Sequence, residues 1–236
     1  MSNELLLILS VLLIYGTLIA WFWLFGKGGL ISFTVLATIT ANIEVLILIK
    51  AFGLNQTLGN VMFASSFLAT DILSELYGKD QAKKAVHIGI ATSISFIVFT
   101  QFWFLYVPSA ADISMEHLKA IFSSTPRMMT ASLFVYAIAQ RFDVWAYHAF
   151  WRWTEKISGD KRKYLWVRNN GSTLVSQFLN AVLFSVFAFF GTYDTKTLIS
   201  IIASSYVVFI FTSLADTPMI YLARKLYEKD KILVKE

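Results

Sequence analysis

Asp71 and Glu75 stand four residues apart in "SSFLATDILSELYGKD", residues 65–80, within one of the most hydrophobic parts of the chain. On a helix that spacing places both carboxyl groups on one face. A carboxyl at membrane depth can hold a proton, pair with a cation, or accept two neighbouring N–H groups of a ligand edge. Each role is open to Asp71. An internal ion pair with Arg141 or Arg168 is the plain alternative for it, and an interfacial salt bridge with Lys79 is the plain alternative for Glu75.

Further polar groups repeat at helical intervals. In "YAIAQRFDVWAYHAFW", Tyr136, Gln140, Asp143 and Tyr147 recur every three or four residues and form one stripe. Arg141 points about 100° away from that stripe, toward some other contact. "VRNNGSTLVSQFLN" gathers Asn169, Ser172, Thr173, Ser176, Gln177 and Asn180 on a shared face, with Arg168 and Asn170 beside them. Part of such a face is ordinary interhelical hydrogen bonding; so many amides also suit a planar heterocycle. Asn42 and Glu44 lie in another apolar stretch, and Asp216 precedes Pro218 in "LADTPMIY". That proline frees a carbonyl, as in the broken helices that line transport sites. His87 and His148 read as satisfied interfacial histidines.

The elements that must carry these groups are membrane helices. The chain has 236 residues, 57% hydrophobic, with 21 Phe and no Cys, and its mean hydropathy is +0.63. Soluble domains are nearer 45–50% apolar. Stretches of about 20 apolar residues cross a bilayer, and seven qualify: 5–25, 30–51, 60–77, 86–107, 128–151, 167–190 and 198–222. The third is short and polar enough that a re-entrant hairpin competes with a full span. The first lacks a basic flank and is too long for a cleaved signal, so it reads as a retained helix. The loop 108–126 is either an interfacial helix or a lid.

Net charge is +5, but the basic residues sit between apolar segments, which indicates a membrane surface and not nucleic acid. Grouping 27, 79–84, 152–168 and 224–236 on one side collects 15 Lys and Arg, against four on the other. That bias makes the first side cytoplasmic and leaves the N-terminus outside. No Cys framework, GxSxG, HExxH or Walker A motif occurs, and three scattered His form no metal constellation. No catalysis, metal or cofactor is expected. A homodimer is compatible with the chain, though nothing in it argues for one.

"TANIEVLILIKAFG", "FLATDILSELYG", "ASLFVYAIAQRFDVWAYH", "LWVRNNGSTLVSQFLN" and "SLADTPMIYLARKL", taken in order over about 30–226, resemble the queuosine-precursor transporter family of bacterial inner-membrane proteins. The resemblance implies an all-α fold: a six-helix core at 30–226, distantly like the substrate-binding components of energy-coupling-factor vitamin importers. It implies an extra N-terminal helix at 1–29 and a basic cytoplasmic tail at 227–236. It also implies uptake of 7-deazaguanines, such as 7-cyano- and 7-aminomethyl-7-deazaguanine or queuine, for salvage into tRNA queuosine. A substrate-binding subunit driven by a separate ATPase is the rival within transport. A guanine-like edge needs a carboxylate acceptor, its carbonyl an amide or arginine donor, and its rings aromatic faces. The expected lining is Glu44, Asp71, Gln140, Arg141, Asp143, Asn170, Gln177, Asn180 and Asp216, with Asp143 reading the amino edge. The chain departs from the family at Asn180 and Phe209, where many relatives carry Asp and Lys.

Overall fold

At Gly26 the backbone leaves helical geometry (φ 56°, ψ −134°), and the long helix α1 (Asn3–Glu44) folds back on itself there. In this computed structural model, which describes residues 2–123, 126–229 and 231–233, the two arms of α1 are 3–25 and 27–44. They pack so tightly that a Cβ on Gly29 would overlap the Trp21 carbonyl. The positive φ at Gly26 is accessible to glycine at little cost. The far ends of the hairpin also meet: Phe52 N–H donates to the Glu4 carboxylate (3.0 Å), and Asn3 Nδ2 donates to the Lys50 carbonyl (2.9 Å).

Here the structure corrects the expected second span, 30–51. Its helix stops at Glu44, and the chain turns into β1 (Leu48–Ala51), paired antiparallel with β2 (Leu54–Thr57). The intervening Phe52 and Gly53 both have positive φ, 51° and 74°, as a two-residue hairpin turn requires. A short apolar run reads alike as helix or strand, so composition could not separate them. "GLNQTLG", residues 53–59 between the second and third expected spans, supplies β2.

α2 (Gly59–Tyr77) is a single uninterrupted helix. It begins against Val45, where a Cβ on Gly59 would touch the Val45 backbone, and ends where Lys27 lies 5.7 Å from the Tyr77 ring centroid. It therefore runs the whole length of the second arm of α1 without turning back. α3 (Lys79–Trp103), the short α4 (Met115–Ser123), α5 (Pro126–Ser158), α6 (Leu165–Phe189) and α7 (Thr195–Glu228) complete the order. α4 gives the 108–126 loop its helix. α7 continues helically through Pro218; the expected break is absent because only one hydrogen bond, to the carbonyl four residues back, is lost there.

Among the described residues four helices, α1, α3, α6 and α7, are long and apolar enough to cross a membrane. α2 and α5 carry the buried polar stripes, which dilutes their hydropathy. Polarity is distributed as a membrane protein requires. Leu13, Phe99, Phe134, Phe178 and Phe211 are exposed on the outside, while Asp71, Gln140, Asp143, Arg168, Gln177 and Asp216 show no exposed surface. With lipid outside, polar groups turn inward toward one another.

The two ends of the bundle differ. Lys27 meets the end of α2, Arg168 meets Glu75, and Leu233 N–H donates to the Trp23 carbonyl (2.9 Å) beside the Gly26 bend. The basic segments 79–84 and 158–168 therefore share one end with the C-terminal part of the chain. The hairpin, α4 and Arg127, which bonds the Phe187 and Phe190 carbonyls, lie at the other. Residue 230 and residues 234–236, part of the expected basic tail, lie outside the described residues. The N-terminal helix packs into the core through Tyr15, Leu18 and Phe22, all fully buried.

Candidate functional site

α2 and α5 run parallel, and their polar stripes match rung by rung. Gln140 Nε2 donates to Ser66 Oγ (2.7 Å), and Thr70 Oγ1 donates to Gln140 Oε1 (3.2 Å). Two turns further on, the Tyr147 hydroxyl donates to Glu75 Oε2 (2.8 Å). Asp71 and Asp143 lie between these rungs as fully buried neighbours on the two helices.

α6 crosses antiparallel and offers hydroxyls to both acids. Thr173 Oγ1 donates to Asp71 Oδ2 (3.1 Å) and Ser176 Oγ to Asp143 Oδ1 (2.6 Å). The other oxygens, Asp71 Oδ1 and Asp143 Oδ2, meet no donor. Nor does the Gln177 Nε2 amide meet an acceptor, and both polar atoms of the Asn169 side chain are unpaired. From α7, Asp216 is fully buried, with the Tyr15 hydroxyl lying between its carboxyl and the Thr212 carbonyl (3.4 Å). Buried polar atoms normally have partners, and leaving one without costs about 1–3 kcal/mol. Unpaired donors and acceptors thus concentrate on four helices, α2, α5, α6 and α7.

Below this core lies a separate ionic cluster. Arg168 grips Glu75 with both arms of its fork (Nε–Oε2 2.8 Å, Nη2–Oε1 2.6 Å), and Arg224 stands 3.6 Å from the same carboxylate. Arg168 also donates to the Lys163 carbonyl (2.9 Å) and stacks over Trp151, 4.5 Å from the ring centroid. Two readings from sequence are corrected here. The partner of Arg168 is Glu75 and not Asp71, and Glu75 takes Arg168 in place of Lys79. The reason is depth, since residues 168 and 75 both sit at the basic ends of antiparallel α6 and α2. His148 stacks parallel on Trp151 (8° between planes), yet its Nε2 is buried and unpaired, so it is not the satisfied histidine expected.

Of the candidate residues, Asp71, Gln140, Asp143, Gln177 and Asp216 converge on the core. Asn180 lies one turn from Gln177 and donates to its Oε1 (3.3 Å); it also lines a cavity that Phe209 shares. Asn170 turns to α7 instead, donating to Thr217 Oγ1 (2.7 Å) and accepting from Ser213 (3.2 Å). Arg141 is exposed on the outer face of α5, and Glu44 is half-buried at the end of α1. Sequence reasoning passed over Ser66 and Thr70, whose i, i+4 spacing on α2 was the available signal, and Tyr15, for which there was none. Among the described residues no cluster of His, Asp and Glu suits a metal ion.

The chain is similar to proteins named as transporters. The model of a family described as "Putative vitamin uptake transporter" matches residues 57–223. A Bacillus subtilis protein named "Probable queuosine precursor transporter" is 38% identical over 207 residues, covering 88% of each chain. No solved structure matches the chain.

Proposed function

The chain belongs to the family described as "Putative vitamin uptake transporter" and is a multi-pass membrane transporter, not an enzyme; from that premise we propose that it imports queuosine precursors, 7-deazaguanines, across a bacterial plasma membrane. The observation that carries the proposal is the 38% identity, over 88% of both chains, to a protein named for that cargo. The chemistry of the core supports it. The free oxygens of Asp143 and Asp71 are acceptors for the adjacent N–H and amino groups of a guanine-like edge. The unpaired Gln177 amide is a donor for its carbonyl. An aminomethyl cation on the substrate would find Asp216, neither of whose oxygens has a hydrogen-bond partner.

These acids have no exposed surface, so a base reaches them only when the helices part, first at one end and then at the other. In this alternating cycle the basic end faces the cytoplasm and the β-hairpin end faces outward, following the positive-inside bias. Proton coupling is part of the proposal: the buried Asp71–Asp143 pair holds a proton that a substrate N–H would replace. Equal uptake with and without a collapsed proton gradient would remove that part. The test of the whole is tRNA queuosine in a synthesis-deficient bacterium expressing this chain and fed each precursor in turn. Restoration by at least one 7-deazaguanine is expected, and failure with all of them refutes the cargo.

A further inference from the structure

A cavity at the hairpin end of the bundle lies apart from the acid core. It is about 30 Å³, room for one or two waters. Phe63, Phe184 and Phe209 form its walls, and Asn60, Asn180 and Ser132 face it from α2, α6 and α5. Its lining contains no charged residue. The Asn60 amide nitrogen is buried without a partner, while its oxygen accepts from Thr57 Oγ1 (3.2 Å) at the end of β2.

We infer that this cavity is an outer subsite, holding the neutral ring of the cargo between the phenylalanine faces and the Asn60 and Asn180 amides before it descends to the acids. The inference rests on the transport reading above. Phenyl walls with neutral amides recognise a flat ring that carries both donors and acceptors. They offer nothing that would neutralise an isolated ion.

The route inward is built on α6. Asn180 donates to Gln177, Gln177 keeps a free amide nitrogen, and Ser176 and Thr173 then reach Asp143 and Asp71. A ring leaving the cavity thus meets a new polar partner at each turn of one helix face. At its present volume the cavity is too small for a bicyclic base, so filling it must displace the Phe184 or Phe209 ring or lift the hairpin, whose Thr57 is part of the wall.

The test uses the purified full chain in liposomes with labelled 7-cyano-7-deazaguanine over a concentration series. Asn60→Leu and Asn60→Ala both remove the free donor. Each is expected to raise KM about five- to tenfold, the worth of one neutral hydrogen bond plus desolvation, with Vmax within about twofold of the parent. Unchanged KM in both variants overturns the subsite, as does a fall in Vmax at constant KM, which marks a purely structural role. No flux in the unsubstituted protein overturns the transport reading itself, so the two failures are distinguishable.

Discussion

Replacing Arg168 by Leu tests the ionic cluster that closes the basic end. The Arg168 and Glu75 side chains are 0% and 4% exposed, and three hydrogen bonds hold the guanidinium, two to Glu75 and one to the Lys163 carbonyl. Arg168→Leu leaves Glu75 buried with the Tyr147 hydroxyl as its close donor and with Arg224 at 3.6 Å. Breaking one side of a buried pair costs about 3–5 kcal/mol. For a chain of this length, at about 2–4 °C per kcal/mol, that is a fall in Tm of roughly 6–20 °C. The double variant Glu75→Leu/Arg168→Leu removes both charges together. It should recover at least about 2 kcal/mol, and the remaining deficit reflects the unpaired Tyr147 hydroxyl and Lys163 carbonyl. Thermal unfolding of detergent-purified protein, followed by near-UV circular dichroism, measures all three proteins. A double variant no more stable than Arg168→Leu, or a single variant within about 1 kcal/mol of the parent, would refute the reasoning.

Other expectations follow from the same contacts. Gly89→Ala places a Cβ against the Tyr136 hydroxyl and ring and should destabilise the protein by about 1–3 kcal/mol, with Gly89→Ala/Tyr136→Phe recovering part of the loss. Glu4 lies in front of the first span, and hydrogen bonds from backbone N–H groups, including that of Phe52, hold its carboxyl below the ordinary value of 4.5. A folded pKa below the unfolded one means this stabilisation is present above pH 4.5 and lost as pH falls through the lower folded value. Hydrogen exchange at the Phe52 amide should accordingly quicken on acidification into that range, and Glu4→Gln should flatten the dependence. Thr173→Val and Ser176→Ala each strip a donor from one acid and should lower uptake several-fold while expression persists.

Much of the site was legible because a lipid-facing helix hides its polar groups on one side. The Tyr136–Gln140–Asp143–Tyr147 stripe follows from spacing alone, and all four side chains are buried together against α2 and its neighbours. Arg141, one residue off the stripe, falls on the exposed face for the same reason. Pairing was less legible. Periodicity fixes the face of a residue but not its height against a partner helix, so Arg168 was open to Asp71 until the antiparallel register set it beside Glu75. The β-hairpin was hidden because "VLILIKAFG" satisfies a helical pattern, and only the paired positive φ values at Phe52 and Gly53 reveal a turn. Tyr15 reaches Asp216 through a fold-back at Gly26 that no local pattern announces.

The most direct measurement of the central claim is flux of a labelled 7-deazaguanine into liposomes holding the purified chain alone, compared with Asp143→Asn. That substitution keeps shape and the Ser176 bond while replacing the other carboxyl oxygen by an amide nitrogen, which cannot accept a hydrogen bond. The account predicts saturable uptake by the parent without any ATPase partner, and at least a tenfold loss in the variant at unchanged thermal stability. Equal flux through both would show that the buried acids do not receive the base, and flux that appears only with an added ATPase would assign the chain to a larger importer.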